Sequence, residues 1–246
     1  MSAGGAVAII PARLASSRFP GKMLADRTGK PLVQHVWERV RQARRISRIL
    51  VATDDRRIAD EVTRFGGEAV MTRADHPNGT TRIAEVAATL DAALVVNVQG
   101  DEPEIDPGLI DRVVTLLEER PDCPMATLAT PVQQAADADD PNVVKVVRRF
   151  DGTAIYFSRS RIPFDRDGSR EVTPLRHVGL YGFRRDFLLR FVEMPESPLE
   201  KSERLEQLRA IEHGVAISVA VVEAAGHGID TPEQYEAFVR RSLETR

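Results

Sequence analysis

Apolar runs alternate with amphipathic stretches along the first half of the chain. The apolar runs predict strands at 7–10, 49–53, 68–71 and 93–98. Between them, apolar residues recur every three or four positions, which predicts helices at 31–44, 56–65, 80–90 and 109–119. An alternation of strands and helices is typical of a parallel sheet that carries helices on both faces.

The second half of the chain has a different pattern, because its strands follow one another with few helices between them. Strands are predicted at 125–130, 143–147, 154–157 and 178–183. Helices return at 203–212 and 232–243, on either side of a strand at 216–222. We therefore expect a mixed, mostly parallel sheet with an antiparallel edge.

Composition favours a single domain over residues 1–246, since 42% of the residues are hydrophobic and no linker interrupts the chain. Lys and Arg number 34 against 37 Asp and Glu, so the net charge of -3 argues against nucleic-acid or membrane-surface binding. Cys123 is the only cysteine, which excludes an intramolecular disulfide. There is no basic leader, and no apolar run approaches about 18 residues, so we expect a cytoplasmic protein.

The loop after the first strand, at 9–22, is the most informative segment. It reads I-I-P-A-R-L-A-S-S-R-F-P-G-K, and its prolines argue against helix or strand after residue 10. Arg13, Arg18 and Lys22 bring three cations to the carboxyl edge of the sheet, where they suit a polyphosphate. Met23 follows Lys22 and no G-x-G-x-x-G occurs, so the loop matches neither standard phosphate-binding motif. A solvated basic loop is the alternative.

Acidic residues follow two other strands. V-N-V-Q-G-D-E-P ends in Gln99, Gly100 and Asp101, where Gly100 permits close backbone approach and Asp101 lies where nucleotide-bound Mg²⁺ would sit. Near the end of the chain, Asp230 and Thr231 precede a proline, and either could simply cap the following helix. Because Mg²⁺ needs only one or two carboxylates besides phosphate oxygens, Asp101 and Asp230 would suffice if the fold brings them together.

Motifs extend in order over nearly the whole chain: I-I-P-A-R-x-x-S-x-R-x-P-G-K, V-A-T-D, M-T-R-A-D-H, N-V-Q-G-D-E-P, P-N-V-V-K-V-V, Y-F-S-R-x-x-I-P, R-H-V-G-L-Y-G-F, S-P-L-E-x-x-E-x-L-E-Q-L-R and G-I-D-T-P-E. Together they resemble the motifs of the 3-deoxy-manno-octulosonate cytidylyltransferases, the CMP-Kdo synthetase family. One such motif would be weak evidence, but the set in this order is specific.

The resemblance implies an α/β, GT-A-like nucleotide-diphospho-sugar transferase fold, a three-layer sandwich with a mixed, mostly parallel sheet. It implies a nucleotidyltransferase that moves CMP from CTP to 3-deoxy-D-manno-octulosonate (Kdo), releases pyrophosphate and so activates Kdo for lipopolysaccharide synthesis. Mg²⁺ is the implied cofactor. The implied partners are CTP, Kdo and a second copy of the chain, with the segment after 156–163 in the dimer edge; neither nucleic acid nor membrane is expected.

The resemblance also implies roles for individual residues. The catalytic set is Arg13, Lys22 and Asp101, and the metal ligands are Asp101 and Asp230. The nucleotide-binding set is Pro11, Ala12, Arg13, Arg18, Lys22, Arg73 and Gln99. The sugar-binding set is Arg73, His177, Tyr181, Glu206 and Gln207. Judged from the residues alone, the members of the sugar set could instead be a loop cation, an ordinary histidine, a core tyrosine and a solvated helix face.

Two departures from the family pattern bear on the substrate. Where the family commonly reads S-G-T-E-R, this chain reads N-G-T-T-R, which removes a carboxylate at Thr81, and the segment between Asp165 and Arg176 is shorter. The alternative is therefore a cytidylyltransferase for a related acid sugar, either 8-amino-Kdo or a sialic acid. Sialic acid enzymes normally read A-R-x-G-S-K in the first loop, however, and GT-A glycosyltransferases carry D-x-D where this chain has D-E-P. A silent nucleotide-sugar module would be expected to lose Arg13, Lys22 or Asp101.

Overall fold

The computed structural model describes residues 5–15, 18–169, 171–226 and 228–244. These residues form nine strands: β1 (Ala6–Ala12), β2 (Ile46–Thr53), β3 (Glu68–Met71), β4 (Leu94–Asn97), β5 (Met125–Pro131), β6 (Lys145–Arg148), β7 (Ala154–Ser158), β8 (Leu175–Arg184) and β9 (Ile217–Val221). They also form nine α-helices: α1 (Leu32–Val40), α2 (Arg56–Arg64), α3 (Gly79–Ala88), α4 (Pro107–Glu119), α5 (Ala135–Asp139), α6 (Arg185–Phe191), α7 (Pro198–Glu203), α8 (Gln207–Glu212) and α9 (Pro232–Glu244).

The chain divides into two compact units. The first comprises Met1–Asp111 and Gly226–Arg246, and the second comprises Arg112–Ala225. The expectation of one domain stays a prediction. Across the described ranges, none of the helices has the length and apolar character that crossing a membrane requires.

In the first unit, the strands lie in the order β3-β2-β1-β4, and every neighbouring pair is parallel. The chain moves from β1 outward to β3 and then returns to the other side of β1. Because crossovers between parallel strands are right-handed, this reversal places α1 and α2 on one face and α3 on the opposite face. The gap between β1 and β4 is therefore the switch point where such sheets bind ligands.

The end of β1 differs from the prediction that strand structure stops after residue 10. Pro11 pairs in register with Ala52, and Ala12 with Thr53. The carbonyl of Ile9 accepts from Val98 N on the β4 side, so two residues later Pro11 faces that same side. The β4 register has already ended beside Ile9, so the missing N–H of Pro11 interrupts no regular pairing there.

Helix α9 packs against the first loop and so holds the two ends of the described chain together. Its apolar residues share one buried cluster, formed by Leu32, Ile229, Tyr235, Phe238 and Val239. Phe19 from the first loop packs on this cluster, with its ring centroid 5.4 Å from that of Tyr235. Burial of these aromatic side chains brings the basic loop close to the turn before α9.

The second unit contains the antiparallel pairs that the sequence predicted. In it, β5 pairs parallel with β9 and antiparallel with β8, while β6 pairs antiparallel with β7 and β8. The mixed, mostly parallel α/β class is confirmed.

A buried ion pair joins the helices of the second unit. The guanidinium of Arg209 donates to Glu200 at 2.6 and 2.8 Å and also lies over the ring of Phe191.

The predicted helix at 203–212 is confirmed over 207–212 but wrong at its start, because α7 ends at Glu203 and α8 begins only at Gln207. Arg204 between them has the left-handed angles φ 54° and ψ 47°. Tertiary contacts fix this end: the Glu203 carboxylate accepts from Ser158 Oγ at 2.6 Å, and its carbonyl accepts from Arg159 Nε at 2.6 Å. A helix that continued would pull Glu203 away from these donors.

Candidate functional site

A cavity of about 300 Å³ opens in the first unit where β1 and β4 end. It brings together eight of the nine predicted catalytic, nucleotide-binding and metal-binding residues: Pro11, Ala12, Arg13, Arg18, Lys22, Gln99, Asp101 and Asp230. Three of them are cationic and two are anionic. The cavity is therefore polar and charged at the edge of the sheet where ligands of α/β folds bind.

Gly100 allows β1 and the segment after β4 to approach closely. A Cβ atom at this position would lie 2.8 Å from the carbonyl oxygen of Pro11 and 3.1 Å from the sulfur of Met23. The first distance is shorter than real Cβ atoms show and the second is unusually tight, so the close backbone approach expected at Gly100 is present. This approach places Asp101 beside the end of β1.

The ammonium of Lys22 joins the two carboxylates that the sequence proposed as metal ligands. Its Nζ donates to Asp101 Oδ2 at 2.6 Å and to Asp230 Oδ1 at 3.4 Å. A third hydrogen bond, of 3.0 Å, goes to the carbonyl oxygen of Ile229. Lys22 is only 7% exposed, so water screens these interactions weakly.

Backbone contacts hold the two acidic turns together. The amide of Ile229 donates to the carbonyl of Asp101 at 2.8 Å, and the Ile229 side chain is buried in the α9 cluster. A Cβ on Gly228 would approach Asp101 Oδ1 to 3.4 Å, so the turn lies directly against the carboxylate. The fold therefore brings Asp101 and Asp230 together, which is what a shared magnesium ion would require.

Thr231, and not Asp230, caps the last helix. Thr231 Oγ1 accepts from the amide of Gln234 at 3.3 Å, and Gln234 Oε1 accepts in return from the amides of Asp230 and Thr231 at 2.6 and 3.0 Å. This reciprocal pair satisfies the first turn of α9. The Asp230 carboxylate is thus directed to cations, with its Oδ2 3.0 Å from the guanidinium of Arg18.

Arg82 lines the cavity, although the sequence analysis gave it no role. It is 3% exposed, and its guanidinium donates to Thr72 Oγ1 at 2.6 Å and lies 3.3 Å from Asp54 Oδ2. A cation among apolar neighbours on α3, with an acid at the end of β2, is the signal that could have identified it. These contacts fix a positive charge in the cavity wall.

His76 also lines the cavity, and α3 holds its ring. Its Nδ1 is 3.2 Å from Thr81 Oγ1, and its Nε2 contacts the carboxylate of Glu85. Burial raises the pKa of Glu85, but hydrogen bonds from His76 and from the Arg73 amide lower it by a larger amount. The pKa of Glu85 is therefore below its usual value. Glu85, one turn after Thr81, thus supplies His76 with a carboxylate.

Arg73 lies outside the residues that line the cavity. Its side chain is 70% exposed, and its Nε is 3.5 Å from Glu85 Oε2 and 3.7 Å from Asp75 Oδ1. Its backbone carbonyl accepts from Arg82, which does line the cavity, at 3.3 Å. The role of Arg73 toward nucleotide and sugar stays a prediction.

Three residues of the predicted sugar set meet in the second unit. The rings of His177 and Tyr181 are 5.3 Å apart, and His177 Nε2 is 3.0 Å from Thr127 Oγ1. Burial, helped by the nearby charge of Arg176, lowers the pKa of His177 to about 3. Burial and the charge of Glu206 raise the pKa of Tyr181 well above its usual value. Both rings are therefore neutral near pH 7.

Gln207, the fourth member of that set in this unit, is not on a solvated helix face. It is 5% exposed, and its Nε2 has no hydrogen-bond partner within the described part of the chain. Buried amides are nearly always paired in folded proteins. Gln207 is therefore a candidate for pairing with a polar ligand.

Known proteins are similar to this chain both in sequence and in fold. The sequence matches the cytidylyltransferase family over residues 7–217. It is 55% identical over 244 residues to the 3-deoxy-manno-octulosonate cytidylyltransferase of Syntrophotalea carbinolica, covering 95% of this chain and 98% of the relative. Identity to the enzyme of the same name from Geobacter sulfurreducens is 50% with the same coverage.

Solved structures agree with these relatives. The structure of CMP:2-keto-3-deoxy-manno-octonic acid synthetase complexed with CTP matches with a TM-score of 0.94 and 43% identity, over 98% of this chain and 100% of that chain. A 4-diphosphocytidyl-2C-methyl-D-erythritol synthase from Anaerococcus prevotii matches with a TM-score of 0.64 and 14% identity, which shows a common fold alone. The chain therefore belongs to the 3-deoxy-manno-octulosonate cytidylyltransferase family.

Proposed function

We propose that this chain transfers CMP from CTP to Kdo and releases pyrophosphate. The observation that carries the proposal is the cavity at the end of β1, where three cations meet two carboxylates. A relative with the same fold is described as complexed with CTP. A nucleotidyltransferase needs both signs of charge at one place, because it must bind a triphosphate together with its cation.

The triphosphate would lie against Arg13, Arg18 and Lys22. Arg13 and Arg18 are exposed at the mouth of the cavity, whereas Lys22 is buried in its wall. Guanidinium groups present paired donors to phosphate oxygens, and the lysine adds a compact point charge.

Asp101 and Asp230 fit a magnesium ion that arrives with the nucleotide. Both offer carboxylate oxygens, the donor type that Mg²⁺ prefers, and both reach the same ammonium of Lys22. In the part of the chain that the structure describes, no group of three or more His, Cys, Asp or Glu could hold a metal. Phosphate oxygens would therefore complete the coordination. Bound there, Mg²⁺ would neutralise phosphate charge and make the α-phosphorus more electrophilic.

The reaction requires no protein nucleophile. The anomeric hydroxyl of Kdo attacks the α-phosphorus in line, a P–O bond forms, the bond to the pyrophosphate oxygen breaks, and the hydroxyl proton is released to water. Arg13 and Lys22 would offset the charge that develops on the leaving pyrophosphate. The fixed walls around Pro11 and Gly100 would hold the nucleotide in the attack geometry, which lowers the entropic part of the barrier.

The base would be read by hydrogen-bond acceptors. Cytosine presents an amine where uracil presents a carbonyl, so a site with fixed acceptors favours CTP. The carbonyl of Pro11, held against Gly100, is one such acceptor. The amide of Gln99 also lines the cavity, although a side-chain amide can turn to suit either base.

The acid sugar would bind the polar cluster of the second unit, with His177, Tyr181, Glu206 and Gln207 as its contacts. Neutral rings and a buried amide suit sugar hydroxyls, because each can donate or accept a hydrogen bond. The product, a sugar acid activated as its CMP ester, would then be used for lipopolysaccharide synthesis.

We also propose a homodimer that uses the segment after 156–163. Ile155 and Phe164 near this segment are 48% and 82% exposed, and arginines lie between them. Apolar side chains with interspersed arginine are favoured at interfaces. Light scattering at micromolar concentration tests this, and a monomer would contradict it.

The reaction itself is tested by pyrophosphate release. The protein, CTP and Mg²⁺ are incubated with Kdo, 8-amino-Kdo or N-acetylneuraminate, and a reaction without sugar gives the background. We expect release with Kdo and far less with N-acetylneuraminate. Equal or faster release with the sialic acid would overturn the substrate assignment, and no release with any sugar would overturn the proposed reaction.

A further inference from the structure

The ammonium of Lys22 lies between the oxygens proposed to hold the metal ion. Its three hydrogen bonds, at 2.6, 3.0 and 3.4 Å, go to Asp101, Ile229 and Asp230. An ammonium group has three protons and no acceptor, so these contacts use its full capacity. The two carboxylates are therefore already paired with a cation that belongs to the chain.

A divalent ion cannot use the same oxygens while Lys22 keeps this position. Mg²⁺ binds carboxylate oxygens at about 2.0–2.1 Å, so the ion and the ammonium would lie less than about 5 Å apart. Their repulsion is strong because they are so close and because the Lys22 side chain, at 9% exposed, is itself poorly screened by water. The metal and the lysine must compete for Asp101 and Asp230.

We infer that Lys22 is an exchangeable internal cation, which keeps a divalent metal off Asp101 and Asp230 until a nucleotide draws its ammonium away. The inference rests on the proposed function, because it takes the nucleoside triphosphate as the competing partner. Phosphate oxygens bound at Arg13 and Arg18 would accept hydrogen bonds from the lysine ammonium in place of the carboxylates. The flexible lysine stem allows the ammonium to move. Metal and nucleotide then each raise the affinity of the other by the same factor.

Arg18 provides a matched control in the same site. Its guanidinium also reaches Asp230, at 3.0 Å, but its side chain is 65% exposed against 9% for Lys22. An exposed pair is screened by water and salt. Removing Arg18 changes the net charge as much as removing Lys22 does, without emptying the position between the two carboxylates.

The test measures Mn²⁺ binding to the full chain without nucleotide, from the electron paramagnetic resonance signal of free Mn²⁺. The proteins are wild type, Lys22→Met, Lys22→Gln and Arg18→Met. We expect both Lys22 variants to bind one Mn²⁺ at least about tenfold more tightly than wild type, since a strong local repulsion is removed. Arg18→Met is expected to change the affinity less than about threefold. Adding Asp101→Asn to Lys22→Gln should abolish the gain.

Equal Mn²⁺ affinity in wild type and in folded Lys22 variants would overturn the inference. An equal gain in Arg18→Met would also overturn it, because net charge alone would then explain the effect. Lys22→Gln keeps hydrogen-bond donors for Asp101 and Ile229, so it remains informative if Lys22→Met does not fold. Pyrophosphate release by wild type is measured separately: its absence would refute the proposed reaction, whereas unchanged Mn²⁺ binding refutes only the exchange.

Discussion

Replacing Gly100 with alanine tests whether the cavity depends on the close approach of β1 and the segment after β4. The added Cβ would meet the Pro11 carbonyl at 2.8 Å, about 0.6 Å inside the 3.4 Å limit of ordinary contact. The obstacle is backbone, so no side-chain rotation can relieve it. The two segments must therefore separate, and the Pro11 acceptor must move.

Two opposing effects decide whether Gly100→Ala raises or lowers the free energy of unfolding. Overpacking of this kind costs about 1–3 kcal/mol. Against it, alanine restricts the unfolded chain and returns about 0.4–1 kcal/mol where the backbone angles suit it. We expect Gly100→Ala to lower the free energy of unfolding by about 1–2 kcal/mol. A shift of the wall should also weaken CTP binding about tenfold, because nucleotide contacts depend on sub-ångström placement.

Gly179→Ala is the matched control, since no non-neighbouring atom of the described residues would lie within 4 Å of the added Cβ. It should leave CTP binding unchanged. Its free energy of unfolding should equal that of wild type or exceed it by up to about 1 kcal/mol. Urea unfolding gives the stability, and calorimetric titration with CTP gives the affinity. If Gly100→Ala matches Gly179→Ala in both measurements, the close approach does not shape the cavity.

Three further substitutions test other parts of the structure. Asp230→Asn should lower kcat by about a hundredfold while the melting temperature stays near wild type, because Thr231 caps the helix; a lower melting temperature with normal kcat would contradict this. Arg209→Met should lower the free energy of unfolding by about 3–5 kcal/mol, because it leaves Glu200 buried without its partner; a loss below about 1 kcal/mol in urea would contradict this. His177 has a folded pKa of about 3 against 6.5 when unfolded, so the unfolded state binds more protons between these values and stability falls as pH falls. His177→Gln should therefore reduce the dependence of the free energy of unfolding on pH. If urea unfolding between pH 6.5 and 4 shows the same pH dependence in the variant and in wild type, burial does not lower the pKa of His177.

The centres of the elements could be predicted from sequence because burial imposes a visible pattern. The apolar run at 93–98 contains β4, and the last helix begins at Pro232 as expected. The acidic strand ends and the basic loop were also visible, because charges that follow buried strands must lie at a sheet edge. These features were sufficient to propose eight of the residues that line the cavity.

The rest depended on contacts between distant segments. Whether Asp230 caps a helix or faces cations depended on Gln234, which satisfies the helix end instead. Arg82 could not be assigned a place in the site from sequence, because its burial depends on contacts with Asp54 and Thr72. Arg204 breaks a regular helical pattern because Glu203 is held from outside the helix. Gln234 lies only four positions from Asp230, but the partners of Arg82 and Glu203 lie ten or more positions away, outside the local window of sequence.

The bond between Lys22 and Asp230 spans 208 positions of the chain, and this separation has a consequence for biosynthesis. At about 5–20 residues per second, Lys22 is made about 10–40 s before its second carboxylate. Asp101 follows Lys22 by 79 positions, so for the later part of that interval the basic loop and Asp101 are both present, but the turn that completes the cavity is not. A nascent chain can therefore form the parallel strands of the first unit early, yet it acquires a complete nucleotide site only when α9 docks.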